Sequence, residues 1–291
     1  MNAAAILGLL VQISLFLVVA GFGLQASRDE LVYMLRHPRK LLKSIISINV
    51  IMPVFVCLLV TLFTFNPIVE VALVAIAVSP VPPILPGKES KAGGSEPFTY
   101  GLLAAVSLLS VIVIPSTFRI LQAVFHREAN FSEFFIAKTI AIGLILPFGF
   151  GMLIQRLAPG FAARYAGMIG KVGMILLIIA FLPALLGLLP VIWQLIGNGT
   201  ILAIVAFTIV GLVVGHLLGG PAPRDRTVLA IATVSRHPAI AIALASANVG
   251  EGESKLAVAA ILLYLIVSSV VAAPYIRWVT SRPDYAEEAV I

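Results

Sequence analysis

An arginine, a histidine and a proline stand together at Arg236-His237-Pro238, in the middle of an apolar stretch from 227 to 249. In a membrane helix an arginine at the centre costs about 2.5–3.5 kcal/mol on insertion scales, so it persists only where it is paired or faces water or substrate. A shifted helix start with Arg236 snorkelling to the surface leaves Ala239 to Ala247, which is too short to cross. The spacing therefore predicts a broken helix. Thr233, Arg236 and His237 at the break are candidates to bind substrate or couple an ion. A histidine gains and loses a proton near neutral pH.

A second irregular stretch runs from Ser79 to Tyr100. Pro80, Pro82, Pro83 and Pro86 interrupt any regular helix, because each lacks an N–H and its ring crowds the preceding turn. Gly87, Gly93 and Gly94 follow, mixed with Lys88, Glu89, Lys91 and Glu96. We place the break near 86–97, either as a crossover at the membrane centre or as a cytoplasmic loop; both readings stand at this point. Gly94, Ser95, Glu96 and Thr99 are its candidate binding residues. Asn49 and Ser110, on neighbouring apolar stretches, are candidates to contribute further oxygens. Breaks at matching positions in two halves of a chain mark a secondary transporter, with half-helix N-termini directed at the substrate.

The elements that must position these residues are membrane helices. Of the 291 residues 60% are hydrophobic and only 11% charged, against about 25% charged in soluble domains. Stretches of roughly 20 apolar residues, the length that crosses about 30 Å of hydrocarbon, occur near 3–25, 42–64, 68–86, 98–125, 132–156, 168–190, 199–218, 227–249 and 255–279. Nine spans with short loops make 1–291 one all-α membrane unit. Ala3 to Gln25 lacks the basic flank of a secretory signal and reads as a true span.

Twelve Lys and Arg residues, from Arg28 and Lys40 to Arg277 and Arg282, fall on one side of alternate spans, and four on the other. The richer side is expected to be cytoplasmic, which puts the N-terminus outside and the C-terminus inside a cell (inner) membrane. The net charge of +6 is scattered over short loops, a pattern that does not suit nucleic acid. The single Cys57 offers no intrachain disulfide. An intramembrane enzyme needs paired acids, a Ser/His pair or a metal cluster, whereas Glu96 alone stands near mid-depth in this reading. No enzyme, no cofactor and no metal site is expected.

Several short motifs resemble the bile acid:sodium symporter family, which includes bacterial organic-anion transporters. They are Ile51-Met52-Pro53, then Pro86-Gly87 through Gly94-Ser95-Glu96-Pro97-Phe98-Thr99-Tyr100, then Leu109-Ser110-Val111, and Ala232 to Ala245. The resemblance runs over nearly the full length. It implies a core and a panel domain built from two inverted repeats, here 1–125 with its first helix missing and 131–280, and a division of Phe98 to Phe125 into a half-helix and a span. It implies a small organic anion, a carboxylate or sulfonate, carried by alternating access. The family's sodium-site positions correspond to Ser95-Glu96 and to Thr233, His237 and Pro238, where the acidic ligand is replaced. The replacements leave a sodium ion and a proton both open as the coupling ion; with a proton, Glu96 and His237 are the coupling candidates, and Glu96 and Arg236 form an ion pair if they face each other across the crossover. The runner-up reading is a related inverted-repeat carrier, auxin-efflux-like or arsenite-efflux-like, ahead of a channel.

Overall fold

A computed structural model describes residues 3–82, 93–125, 133–250 and 252–282. The predicted features at Pro83, Pro86, Gly87, Lys88, Glu89, Lys91 and Arg127 lie outside the described residues. Those residues form helices and no strand. α1 is Ala3–Gln25, and α2, Arg28–Arg36, is a short helix that precedes the second span. Its start is fixed by Ser27: the hydroxyl accepts from the Glu30 N–H at 3.2 Å, and the Glu30 carboxylate accepts from the Ser27 N–H at 2.7 Å.

α3 begins at Pro38–Ile45, passes through a π-helical stretch Ile46–Ile51 and ends as Met52–Leu62. The proline at 53 has no N–H for the carbonyls one turn back, so the ladder cannot keep the ordinary register there. α6 repeats the device: Glu133–Ile140, a π stretch Ala141–Ile145, then Leu146–Leu157 with Pro147 just beyond. Between them lie α4, Pro67–Val78, and α5, Glu96–Phe125. α7 (Pro159–Gln194), α8 (Thr200–Leu218), α9 (Pro223–Val234), α10 (Pro238–Ser246) and α11 (Ser254–Thr280) complete the order.

Eight described helices, with α9 and α10 counted together, are long and apolar enough to cross a membrane, against the nine spans expected. The stretch from 68 to 86 is the exception. Its helix stops after Val78, because Ser79 is pressed into extended geometry by the proline that follows it. The second span starts at Pro38, not 42. α5 is continuous over 30 residues, so Phe98 to Phe125 does not divide as the resemblance implied.

The helices fall into two packed groups. α1 lies against α6 and α7, with so little space that a Cβ at Gly151 would stand 2.2 Å from the Ala20 carbonyl oxygen. In the other group α8 packs on α9 and α11, α10 packs on α4 and α11, and α5 packs on α2 and α9. A Cβ at Gly215 on α8 would meet the Ala230 Cα of α9 at 2.5 Å. The most apolar 18-residue window of Pro223–Ser246, α9 and α10 together, is 78% buried; the corresponding window of Pro159–Pro183 in α7 is 17% buried and faces outward. The broken helix is thus the most enclosed element of the second group.

Candidate functional site

Two breaks meet inside this second group. The first begins at Ser79–Pro82, at the end of α4; most of the expected segment 86–97 lies outside the described residues. The second is Ser235-Arg236-His237 between α9 and α10, as the sequence predicts. Ser235 (φ −87°, ψ 120°) ends α9, and His237 (φ −74°, ψ 106°) is held extended by Pro238, the first residue of α10. The His237 N–H donates to the Pro80 carbonyl at 2.8 Å, which ties one break to the other.

Arg236 fastens the crossing from its side chain. Nη1 donates to the Ser79 carbonyl at 3.2 Å and Nη2 to the Ile48 carbonyl at 2.9 Å. Ile48 lies in the π-helical stretch of α3, five residues before Pro53, so the donor a π register would offer it is missing. Ser79 stands four residues before Pro83, which likewise has no N–H to offer. The guanidinium thus takes carbonyls that the prolines leave without helical partners.

Among the described residues its surroundings hold no counter-charge. Arg236 is 2% exposed. Its guanidinium carbon sits 5.9 Å from the Phe207 ring centroid, and Phe207 stands edge-on to Tyr264 at 5.6 Å. Among the described residues no carboxylate pairs with Arg236; the ion pairs are Arg36–Asp29 and Lys40–Asp225. Its Nε and both ring nitrogens of His237 are buried with no hydrogen-bond partner among those residues. A buried cation here meets two carbonyl oxygens and the face of one aromatic ring, groups that solvate a cation without neutralising it.

The Tyr264 hydroxyl donates to the Val234 carbonyl, the last of α9. That carbonyl lies four residues before Pro238, so it too has no helical donor. Ser47 donates to Thr233 Oγ1 at 2.7 Å, and Thr233 donates to the Leu229 carbonyl at 2.7 Å. Thr233 therefore joins α9 to α3 one turn from the break.

A cavity of about 510 Å³ opens beside the crossing. Val11 and Leu15 of α1 and Leu177 and Phe181 of α7 form one wall; Pro82, Ser235, Arg236, Tyr264 and Ser268 form the other. It lies where the two helix groups face each other, within the usual 300–1,000 Å³ of ligand pockets and with a largely apolar lining. The outward wall, Tyr264 and Phe207 are not among the residues singled out by sequence. Tyr264, Ser268 and Ser269 at i, i+4 and i+5 in an otherwise apolar span were the available signal. Nothing in α1 or α7 marks Leu15 or Phe181.

The remaining predicted residues gather elsewhere. Gly94, Ser95 and Glu96 line a polar cavity of about 620 Å³ with Tyr33, Lys40, Arg224 and Asp225. There Lys40 Nζ donates to Asp225 at 2.5 Å and to the Tyr33 hydroxyl at 2.6 Å. This cavity is at the N-terminal end of α9, separated from Arg236 by that helix of 12 residues, roughly 18 Å at 1.5 Å per residue. Glu96 opens α5 at this end, so it is not near mid-depth and forms no ion pair with Arg236. Thr99 donates to the Ser95 carbonyl at 2.9 Å, and Ser110 to the Ser107 carbonyl at 2.6 Å, each within its own chain segment. Asn49, half-buried, follows Ile48 in the π-helical stretch. The structure brings together Thr233, Arg236 and His237, and leaves Gly94, Ser95 and Glu96 apart from them. Among the described residues no three His, Cys, Asp or Glu side chains group as metal ligands.

No curated protein matches the chain. The model of the sodium bile acid symporter family matches residues 12–188, α1 through most of α7, and stops before the second break. With more than half of its 291 residues in that match and an all-helical membrane fold around two crossing breaks, the chain belongs to the sodium bile acid symporter family.

Proposed function

We propose that the chain carries a small organic anion with an apolar body, a carboxylate or sulfonate, by alternating access at the cavity between the two helix groups. Members of the family are symporter-type transporters. The observation that carries the anion is Arg236: a buried guanidinium with no carboxylate among the described residues, in the wall of an apolar cavity. An arginine holds such a head group in two parallel hydrogen bonds. The α10 N-terminus, beginning at Pro238, adds partial positive charge on the same wall. The aliphatic residues of α1 and α7 receive the apolar body.

The Ser79 and Ile48 carbonyls accept from Arg236. A sodium ion there would have to displace the guanidinium, so the fixed charge of Arg236 takes the part a coupling sodium plays elsewhere in the family. His237 supports a second reading, proton coupling, because it is 3% exposed at the crossing with neither ring nitrogen partnered among the described residues. On this reading each of two inverted repeats, 1–125 and 131–280, contributes one of the two breaks. The membrane is the cell (inner) membrane, with the N-terminus outside by the lysine and arginine bias.

Binding of labelled octane-1-sulfonate and taurocholate to the purified protein tests the anion. We expect Arg236→Gln to weaken binding about 10- to 100-fold, the worth of a charged hydrogen bond of about 1.5–3 kcal/mol, and Arg236→Lys to weaken it less. Equal affinity in wild type and Arg236→Gln would sink the reading.

A further inference from the structure

We propose that this carrier works as an anion exchanger: a bound anion must be replaced by another before the site returns across the membrane at speed. The proposal rests on the anion reading above. A coupling cation that binds with its substrate also leaves with it, but the guanidinium of Arg236 is covalently fixed. Its charge stays in the site whether or not an anion is present.

Nothing else described in the protein neutralises it. Asp29 and Glu30 lie in the first turn of α2, Glu70 in that of α4, Glu96 in that of α5 and Asp225 in that of α9. Glu133 starts α6, and Glu253 precedes α11. These acids are all at helix ends, and Asp225 is already paired with Lys40 at 2.5 Å. Arg236 sits instead at the interruption between α9 and α10, with two carbonyls on Nη1 and Nη2 and no partner for Nε among the described residues. The remaining approach is the cavity it helps to line.

Alternating access requires the wall of α1 and α7 to close over that cavity and later to open on the other side. Closure removes water, and charge interactions strengthen as the local dielectric falls. With a monoanion against the guanidinium, the closed site is neutral. Without one, closure encloses an unpaired cation, which low-polarity surroundings penalise. The loaded carrier therefore turns over readily and the unloaded carrier slowly. Exchange of one monoanion for another moves no net charge and needs no sodium.

The test uses wild-type protein in proteoliposomes and labelled octane-1-sulfonate, whose permanent charge prevents leakage as a neutral acid. Vesicles are loaded with unlabelled octane-1-sulfonate or with buffer alone. We expect internal anion to speed uptake about tenfold or more, tenfold being about 1.4 kcal/mol, with no response to a sodium gradient, a pH gradient or a potassium diffusion potential. Arg236→Lys, which keeps the fixed charge, retains the acceleration. Equal uptake into loaded and unloaded vesicles overturns exchange while leaving the anion reading intact. Net uptake driven by sodium also overturns it, and net uptake driven by a pH gradient overturns it in favour of His237. If octane-1-sulfonate and taurocholate neither bind nor move in any condition, the anion reading fails and exchange fails with it.

Discussion

The two breaks that cross in this protein are made of opposite chemistry. Ser79–Pro82 is proline-rich and presents acceptors: the Ser79 and Pro80 carbonyls receive hydrogen bonds, and its prolines have no N–H to give. Ser235–His237 presents donors, a backbone N–H at His237 and a guanidinium at Arg236. In hydrocarbon every freed backbone group must find a partner within the protein. Two acceptor-rich breaks would need a bound cation between them. Here one break brings its own cation, and the pair closes on itself.

The strongest way to break this complementarity is Arg236→Met. It strands the Ser79 and Ile48 carbonyls, at about 1–3 kcal/mol each, and removes the anchor for the anion. We expect loss of octane-1-sulfonate binding together with a marked fall in the thermal midpoint in detergent. An unchanged midpoint would mean that the two carbonyls find other partners, and the crossing would not depend on the guanidinium.

Tyr264→Phe probes the donor side one step away. It leaves the Val234 carbonyl without its donor while keeping the ring packed edge-on to Phe207. A loss of about 1–3 kcal/mol is expected, read as a smaller fall in the same midpoint. Retention of wild-type stability would show that Tyr264 does not cap α9.

The smallest effect belongs to the hydroxyl pair that joins the donor break to α3. In a double-mutant cycle of Ser47→Ala and Thr233→Val we expect a coupling near the membrane average of about 0.6 kcal/mol. Zero coupling would remove Ser47–Thr233 from the links between α3 and α9.

Much of the fold was legible in the sequence because lipid leaves few choices: apolar runs of spanning length become helices. The broken helix at 233–238 was legible for a related reason, since Arg236 and Pro238 cannot both sit in an unbroken apolar span. The first break begins at Ser79, ahead of the expected segment 86–97. Pro80 and Pro82 follow the helix end at Val78, well before the glycines and charges of 86–97. Ile48, Ser79 and Val234, whose carbonyls take side-chain donors here, stand five, four and four residues before Pro53, Pro83 and Pro238. Proline thus marks the freed carbonyls as well as the break.

The sequence by itself determined that this is a many-helix membrane protein with a cation lodged in an interrupted span, because composition and helix-breaking chemistry act locally. Which groups answer that cation was decided only by the tertiary structure. Arg236 meets Ser79, 157 positions away, and Ile48, 188 positions away, while Glu96, its candidate acid partner, is held at the end of α5 beside the Lys40–Asp225 pair. Local rules show that a buried charge needs partners; only the packing of α4, α3 and α9 shows that carbonyls supply them.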